Sequence, residues 1–198
     1  MRVLLLHAFP LDETMWEPQG PVLEGHDVVA PNLYALGGSS IDGWAEALLG
    51  QLDGPFAAVG ASMGGYVALA LAQRAPERVL GLMLVGTRAG PDTPERRRVR
   101  GELLRELSDE GLYRATEALR DRLDASDVVR SYPGPFLLVR GAEDELLPES
   151  EAREVAAMAP QGRLEVVEGA DHIVSQDNTR RFNELLREFL EWTSASTS

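Results

Sequence analysis

Three short stretches of this chain hold residues suited to chemistry at a carbonyl group. Gly60-Ala-Ser-Met-Gly64 sets a serine hydroxyl between two glycines, Gly141-Ala-Glu-Asp144 ends on a carboxylate, and Gly169-Ala-Asp-His172 ends on an imidazole. A serine hydroxyl is a weak nucleophile at neutral pH. It needs a base within hydrogen-bond reach, and the base needs a carboxylate to orient it. Ser62, His172 and Asp144 supply one of each, and such a set performs acyl transfer through a covalent intermediate. Glu143, Glu145 and Asp171 compete for the orienting role, with Asp144 preferred on its context. The charge that develops on the carbonyl oxygen needs donors as well. The Met63 amide, directly after the nucleophile and at a helix start, is one. Phe9, in the loop after the first strand, is the candidate for the other, with small Ala8 beside it. Met15, Leu146 and Ile173 are the apolar residues expected to line the substrate site together with Phe9 and Met63.

Residues so far apart in the chain meet only if strand ends gather them. Phe56 to Val59 is an apolar run suited to a buried strand, and Tyr66 to Ala75 is rich in Ala and Leu with no breaker before Pro76. The turn between them centres on Ser62. Glycine is needed two positions either side, because a Cβ at Gly60 or Gly64 would collide with neighbouring backbone. Arg2 to Leu6 reads as a central strand buried on both faces. Asp27 to Ala30, Val79 to Val85, Phe136 to Val139 and Leu164 to Val167 complete a set of six. Helices alternate with them: one capped by Ser39 or Ser40 with Trp44, Ala45, Leu48 and Leu49 on one face, one over Glu149 to Met158, and one over Thr179 to Trp192 with Phe182, Leu185, Leu186 and Phe189 facing in. This alternation predicts a mostly parallel sheet with helices on both faces. In such sheets the functional crevice lies at the carboxyl ends of the strands, where Ser62, Asp144 and His172 all arrive.

Residues 89–133 break the rhythm. A helix from Pro94 places Val99, Leu103, Leu104 and Leu107 together, and a second gathers Leu112, Ala115, Leu119 and Leu123, which predicts a small helical cap. Arg96-Arg-Arg-Val-Arg100 reads first as a solvated face paired with Glu95, Glu102 and Glu106, with docking of an anionic substrate as the alternative. His7 is expected to brace the loop at its strand end and His26 to lie on the surface. Three scattered histidines make no metal site.

At 198 residues, 44% apolar and 26% charged, the chain suits one soluble domain spanning 1–198. A net charge of −13 argues against nucleic acid or an anionic membrane as partner. All 19 basic residues are Arg, so no lysine is present for Schiff-base chemistry; the absence of Cys excludes disulfides and thiol nucleophiles. The apolar run at Met1 to His7 is shorter than a signal core, and no stretch approaches the roughly 20 residues that span a bilayer. A cytoplasmic protein without cofactor is expected, its oligomeric state left open, with Thr193 to Ser198 frayed.

His7-Ala-Phe-Pro-Leu-Asp-Glu-Thr-Met-Trp16 resembles the H-G-F-P-L-D-x-x-M-W loop of esterases and enol-lactonases in the α/β-hydrolase superfamily. Gly60 to Gly65 resembles that family's nucleophile elbow, Gly141 to Pro148 its G-x-x-D-x-x-x-P acid motif, and Gly169 to His172 its histidine motif. The resemblance implies a minimal three-layer α/β-hydrolase fold with Ser62 as nucleophile and Asp144 and His172 as its partners. It implies the Phe9 and Met63 amides as oxyanion hole and a small-molecule ester as substrate. A lactonase, thioesterase or lyase on the same scaffold, or a ligand-binding module without turnover, remains open beside a carboxylesterase. Two departures stand out. Asn32 to Ser39 replaces the D-x-R-G-x-G-x-S of many relatives, and the leading antiparallel strands and most of the usual cap are missing, which predicts a shallow, open site.

Overall fold

Successive residues of a strand point to opposite faces, so four consecutive apolar residues at Val3 to Leu6, each 1% exposed or less, demand cover on both sides. In a computed structural model describing residues 1–196, Leu4 and Leu6 enter one core and Val3 and Leu5 the other. The strands are β1 (Arg2–Leu6), β2 (Asp27–Val29), β3 (Phe56–Ala61), β4 (Val79–Val85), β5 (Phe136–Gly141) and β6 (Gly162–Val167). They form one sheet in the order β2-β1-β3-β4-β5-β6, and every pairing is parallel.

A 3-10 segment (Glu13–Gln19) and α1 (Gly20–Leu23) join β1 to β2; a second 3-10 turn (Leu33–Leu36) and α2 (Ile41–Gln51) lead to β3. Helix α3 (Met63–Arg74) joins β3 to β4, and three helices, α4 (Pro94–Leu103), α5 (Glu110–Arg120) and α6 (Ser126–Ser131), lie between β4 and β5. Helix α7 (Glu149–Met158) precedes β6, and α8 (Val174–Asp177) and α9 (Thr179–Ser196) close the described chain. Trp44 of α2, Leu69 of α3 and Val155 of α7 pack with Phe56 and Phe136 on one face of the sheet. Met15, Trp16 and the α9 residues Phe182, Leu185, Leu186 and Phe189 pack on the other. The chain changes faces between β1 and β3, which puts the topological switch point at the Ser62 end of the sheet.

Helix starts follow local chemistry. Ser40 Oγ accepts the Gly43 N–H at 3.0 Å to cap α2, and Asp109 Oδ1 accepts the Leu112 N–H at 2.9 Å to cap α5. Other details depart from expectation. Helix α3 begins at Met63 rather than Tyr66, running straight through Gly64 and Gly65. Helix α6 was unforeseen: six residues show no period, yet it buries Val128 and Val129. Val99 is 51% exposed and Leu123, beyond the end of α5, is 73% exposed, so the inner faces expected for these helices do not include them. The tail does not fray at Thr193. That residue is fully buried at the sheet face over Gly81, its Oγ1 donating to Phe189 O at 2.9 Å, and α9 continues through Ser196. Thr197 and Ser198 lie outside the described residues.

His7 braces the loop after β1. Its Nε2 accepts the Leu33 N–H at 2.9 Å, so the proton sits on Nδ1, which donates to Ala8 O at 3.1 Å. Burial holds its pKa below the ordinary imidazole value, outweighing the opposing pull of the Ala8 carbonyl and of Glu13 and Asp12.

Two outcomes follow from this packing. Phe189→Ala, which empties a fully buried position, should cost about 3–5 kcal/mol in urea unfolding, whereas Leu123→Ala should stay within about 0.5 kcal/mol; equal losses would contradict the layering. The unfolded chain protonates His7 at a higher pH than the folded chain does. The stability held by neutral His7 is thus complete above the ordinary imidazole value of 6.5 and is lost as pH falls below it. Unfolding midpoints between pH 8 and 5 should decline more steeply for the native sequence than for His7→Gln, and parallel declines would remove His7 as the cause.

Candidate active site

Ser62 follows the last residue of β3 and is the only non-glycine with positive φ among the described residues, at φ 48° and ψ −105°. Such a backbone costs about 1–3 kcal/mol and persists only when its surroundings enforce it. Here the Ser62 N–H donates to Val85 O at 2.7 Å, and the Ser62 carbonyl accepts the Gly65 N–H at 3.0 Å. A Cβ on Gly60 would meet the Gly64 carbonyl at 2.5 Å, and one on Gly64 would come closer still to the carbonyl of Leu6. The two glycines let α3 start hard against the end of β1. The hydroxyl is not spent on capping α3.

The pairing registers set Leu6 opposite Gly60, Ala61 opposite Val85, Val85 opposite Val139 and Gly141 opposite Val167, so the loops leaving these strands share one edge. Two of those loops are knitted together: Ala142 N–H donates to Val167 O at 2.9 Å and Glu143 N–H to Ala170 O at 3.0 Å. Asp144 is 2% exposed. Its Oδ1 accepts the amides of Leu146 at 2.8 Å and Leu147 at 3.0 Å, and its carbonyl accepts a guanidinium N–H of buried Arg140 at 2.9 Å. Its Oδ2 stands 2.9 Å from His172 Nδ1, and His172 Nε2 stands 2.9 Å from Ser62 Oγ. Burial alone would push the Asp144 carboxyl up. The His172 hydrogen bond and charge, with the Leu147 and Leu146 amides, overcome this and hold it below the ordinary carboxylate value. An ionised Asp144 can only accept, so Nδ1 carries the imidazole proton and Nε2 is left to accept from the serine hydroxyl. Glu143, Glu145 and Asp171 are exposed. The imidazole lies against Gly86 at φ +56°, where a Cβ would fall 2.8 Å from its Cε1 and Nδ1.

Met63 is the first residue of α3, where no earlier turn offers its amide a carbonyl. The Ala8 amide is committed to Met15 Sδ at 3.3 Å; Phe9, the next residue, is half-buried. A cleft of about 240 Å³ opens at Ser62 and His172, with Tyr66, Gly86 and Leu146 around them and Arg96, Val99, Arg100 and Leu103 of α4 as a wall. Leu146 lines it as expected of an apolar neighbour. Met15 and Ile173 do not: both pack into the core on the α9 side of the sheet, where Met15 fixes the loop carrying Phe9. Met63 lies fully buried on the opposite side of the sheet. Arg88 and Asp92 also line the cleft, and nothing in their local sequence pattern marks them. Tyr66 and Gly86 carried weak signals, Tyr66 standing one helical turn after Ser62 and Gly86 directly after a strand. Arg140, a lone charge in an apolar strand, carried another. Among the described residues no group of three or more His, Asp or Glu side chains is arranged to hold a metal, and no helix is long and apolar enough to cross a membrane.

The chain is similar to pimeloyl-[acyl-carrier protein] methyl ester esterases. That of Aromatoleum aromaticum is 37% identical over 91 residues, a stretch covering 43% of this chain and only 36% of that protein. That of Neisseria meningitidis serogroup C is 26% identical over an alignment of 239 residues, covering 96% of this chain and 93% of that one. Among solved structures, a thermophilic esterase from Thermogutta terrifontis with malate bound superposes with a TM-score of 0.88 at 30% identity, covering 98% of this chain and 90% of that one. The enol-lactonase from Burkholderia xenovorans LB400 shares the fold, with a TM-score of 0.80 at 22% identity over 96% of this chain and 91% of its own. The model of the alpha/beta hydrolase family matches residues 3–185, from the first strand into the last helix, and the chain belongs to that family.

Proposed function

We propose that this chain is a serine hydrolase of the carboxylesterase type, acting on small esters through an acyl-enzyme at Ser62. The observation that carries the reading is the unbroken relay Ser62 Oγ, His172 Nε2, His172 Nδ1, Asp144 Oδ2, with both contacts at 2.9 Å, opening on the cleft. In this reading Ser62 Oγ attacks the ester carbonyl carbon as its proton passes to His172 Nε2, and Asp144 stabilises the imidazolium. The carbonyl oxygen takes the negative charge and is met by the Met63 and Phe9 amides, with the N-terminal end of α3 adding its dipole. Collapse breaks the bond to the alcohol oxygen, which leaves with the proton from His172. Water then gives a proton to His172 and attacks the acyl carbon, and Ser62 is restored. No cofactor enters the cycle. The segment holding α4 to α6 acts as a cap whose first helix walls the site.

Esterase names among relatives aligned over most of this chain support the same reading, as does the strain at Ser62, which is expected where a backbone must present a nucleophile. Hydrolysis of p-nitrophenyl acetate, butyrate and octanoate near neutral pH should be readily measured for the native chain. It should fall by about 10³-fold or more in Ser62→Ala. Equal inertness of both proteins would remove esterase activity, and equal activity would remove Ser62.

A further inference from the structure

The chain carries a net charge of −13, yet its cleft is lined by Arg88, Arg96 and Arg100 with Asp92 as the only acidic lining residue. Asp92, 4% exposed, is already shared: Arg100 Nε lies 2.5 Å from one of its oxygens and an Arg122 nitrogen 3.0 Å from the other. Arg122 is held further by Gly90 O at 2.6 Å and by the ring of Tyr66, whose centroid is 3.9 Å away. Arg88 pairs with Glu151, donates to Leu146 O at 3.1 Å, and keeps a buried Nε with no partner. The four guanidiniums of Arg88, Arg96, Arg100 and Arg122 thus stand against two carboxylates, Asp92 and Glu151, while a third carboxylate, Asp144, is taken up by His172.

Arg96 is the residue left over. Its side chain donates only to the Leu146 carbonyl at 2.9 Å, and among the described residues it has no carboxylate partner. Two residues on, Arg98 is saturated by Glu95 at 2.6 Å and Glu102 at 2.5 Å on the outer face of the same helix. The sequence reading of the arginine run as a solvated, Glu-paired face holds for Arg98 and fails for Arg96 and Arg100, which turn to the cleft. A guanidinium offers a planar pair of donors matched to a carboxylate, and a concave wall of one sign concentrates ligands of the other.

We propose that Arg96, supported by Arg88, forms an anion subsite in the cleft, and that the esters this chain prefers carry a free carboxylate as well as the scissile bond: monoesters of short dicarboxylic acids. The substrate class rests on the reading of Ser62 as nucleophile, whereas the subsite itself does not.

The test separates the two. Binding of monomethyl and dimethyl succinate, glutarate and adipate is measured by calorimetry on the full Ser62→Ala chain, with and without Arg96→Gln or, as a charge-matched control, Arg98→Gln. Turnover of the same esters by the otherwise native chain is measured in parallel. At least one monoester should bind roughly ten- to a hundredfold more tightly than its diester, the range expected for hydrogen bonds to a charged group. That ratio should collapse with Arg96→Gln and persist with Arg98→Gln. Glutamine retains a donor for the Leu146 carbonyl, and the diester serves as the reference for general damage to the site. Ratios near one for every pair, binding of neither ester, or a preference indifferent to Arg96→Gln would each overturn the subsite. A preference in binding without turnover of any ester would leave the subsite standing and remove the hydrolase reading. Turnover that requires Ser62 but ignores the carboxylate would do the reverse.

Discussion

The first turn of α3 rests on the carboxyl end of β1 with no side chain between them, and the rest of the structure depends on that approach. Gly64 is the point of contact, against the carbonyl of Leu6. A chain that must leave β3 and enter a helix so close to the neighbouring strand has no room for an ordinary turn, and the strain falls on the one residue between, Ser62. What offsets it is distributed: a hydrogen bond to Val85, a first helical turn closed on the Ser62 carbonyl, and the burial of every α3 residue from Met63 to Ala72. A hydroxyl so held has little freedom, which suits a group that meets the imidazole at 2.9 Å.

Two buried carboxylates organise the ground above the sheet in different ways. Asp144 accepts from an imidazole and two backbone amides, and its loop is pinned from below by Arg140, which also donates to Leu147 O at 3.0 Å. Asp92 accepts from two arginines that belong to different parts of the segment between β4 and β5, Arg100 on α4 and Arg122 beyond α5. Helix α4 buries none of its own residues, so its attachment is polar where that of most other long helices is apolar. Removing one partner of such a cluster leaves an uncompensated charge, a far larger penalty than the cluster gains over an apolar substitute. Elements held this way sit toward the low end of a protein's local stability, a common property of walls that admit ligands.

Strands and the elbow were legible in the sequence because they obey local rules. A doubly buried strand is an apolar run, a crossover helix has a 3.6-residue period, and the Ser62 turn needs glycine where backbones touch. The gathering of Ser62, Asp144 and His172 at one edge followed from their places after β3, β5 and β6. Met15 and Ile173 pack on the α9 side of the sheet and not in the cleft, because being apolar and near the reacting residues in sequence does not say which face a side chain takes. Short α6 lacked a period, and buried Thr193 looked like tail because a lone threonine carries no pattern. Arg88 and Asp92 were illegible for a deeper reason. Their partners Glu151, Arg100 and Arg122 come from other elements, and only the assembled segment between β4 and β5 brings them together.

Leu146 has an amide that holds Asp144 and a carbonyl that receives both Arg88 and Arg96. One residue is in this way clamped from two sides, by the carboxylate that steers the imidazole and by the guanidiniums that face the cleft. The wall and the relay therefore share a residue: Arg96 of α4 reaches the carbonyl of Leu146, and the amide of Leu146, with that of Leu147, fixes one oxygen of Asp144 while the other faces His172. A substitution that reshapes the peptide of Leu146 would thus be felt at the cleft wall and at the imidazole together.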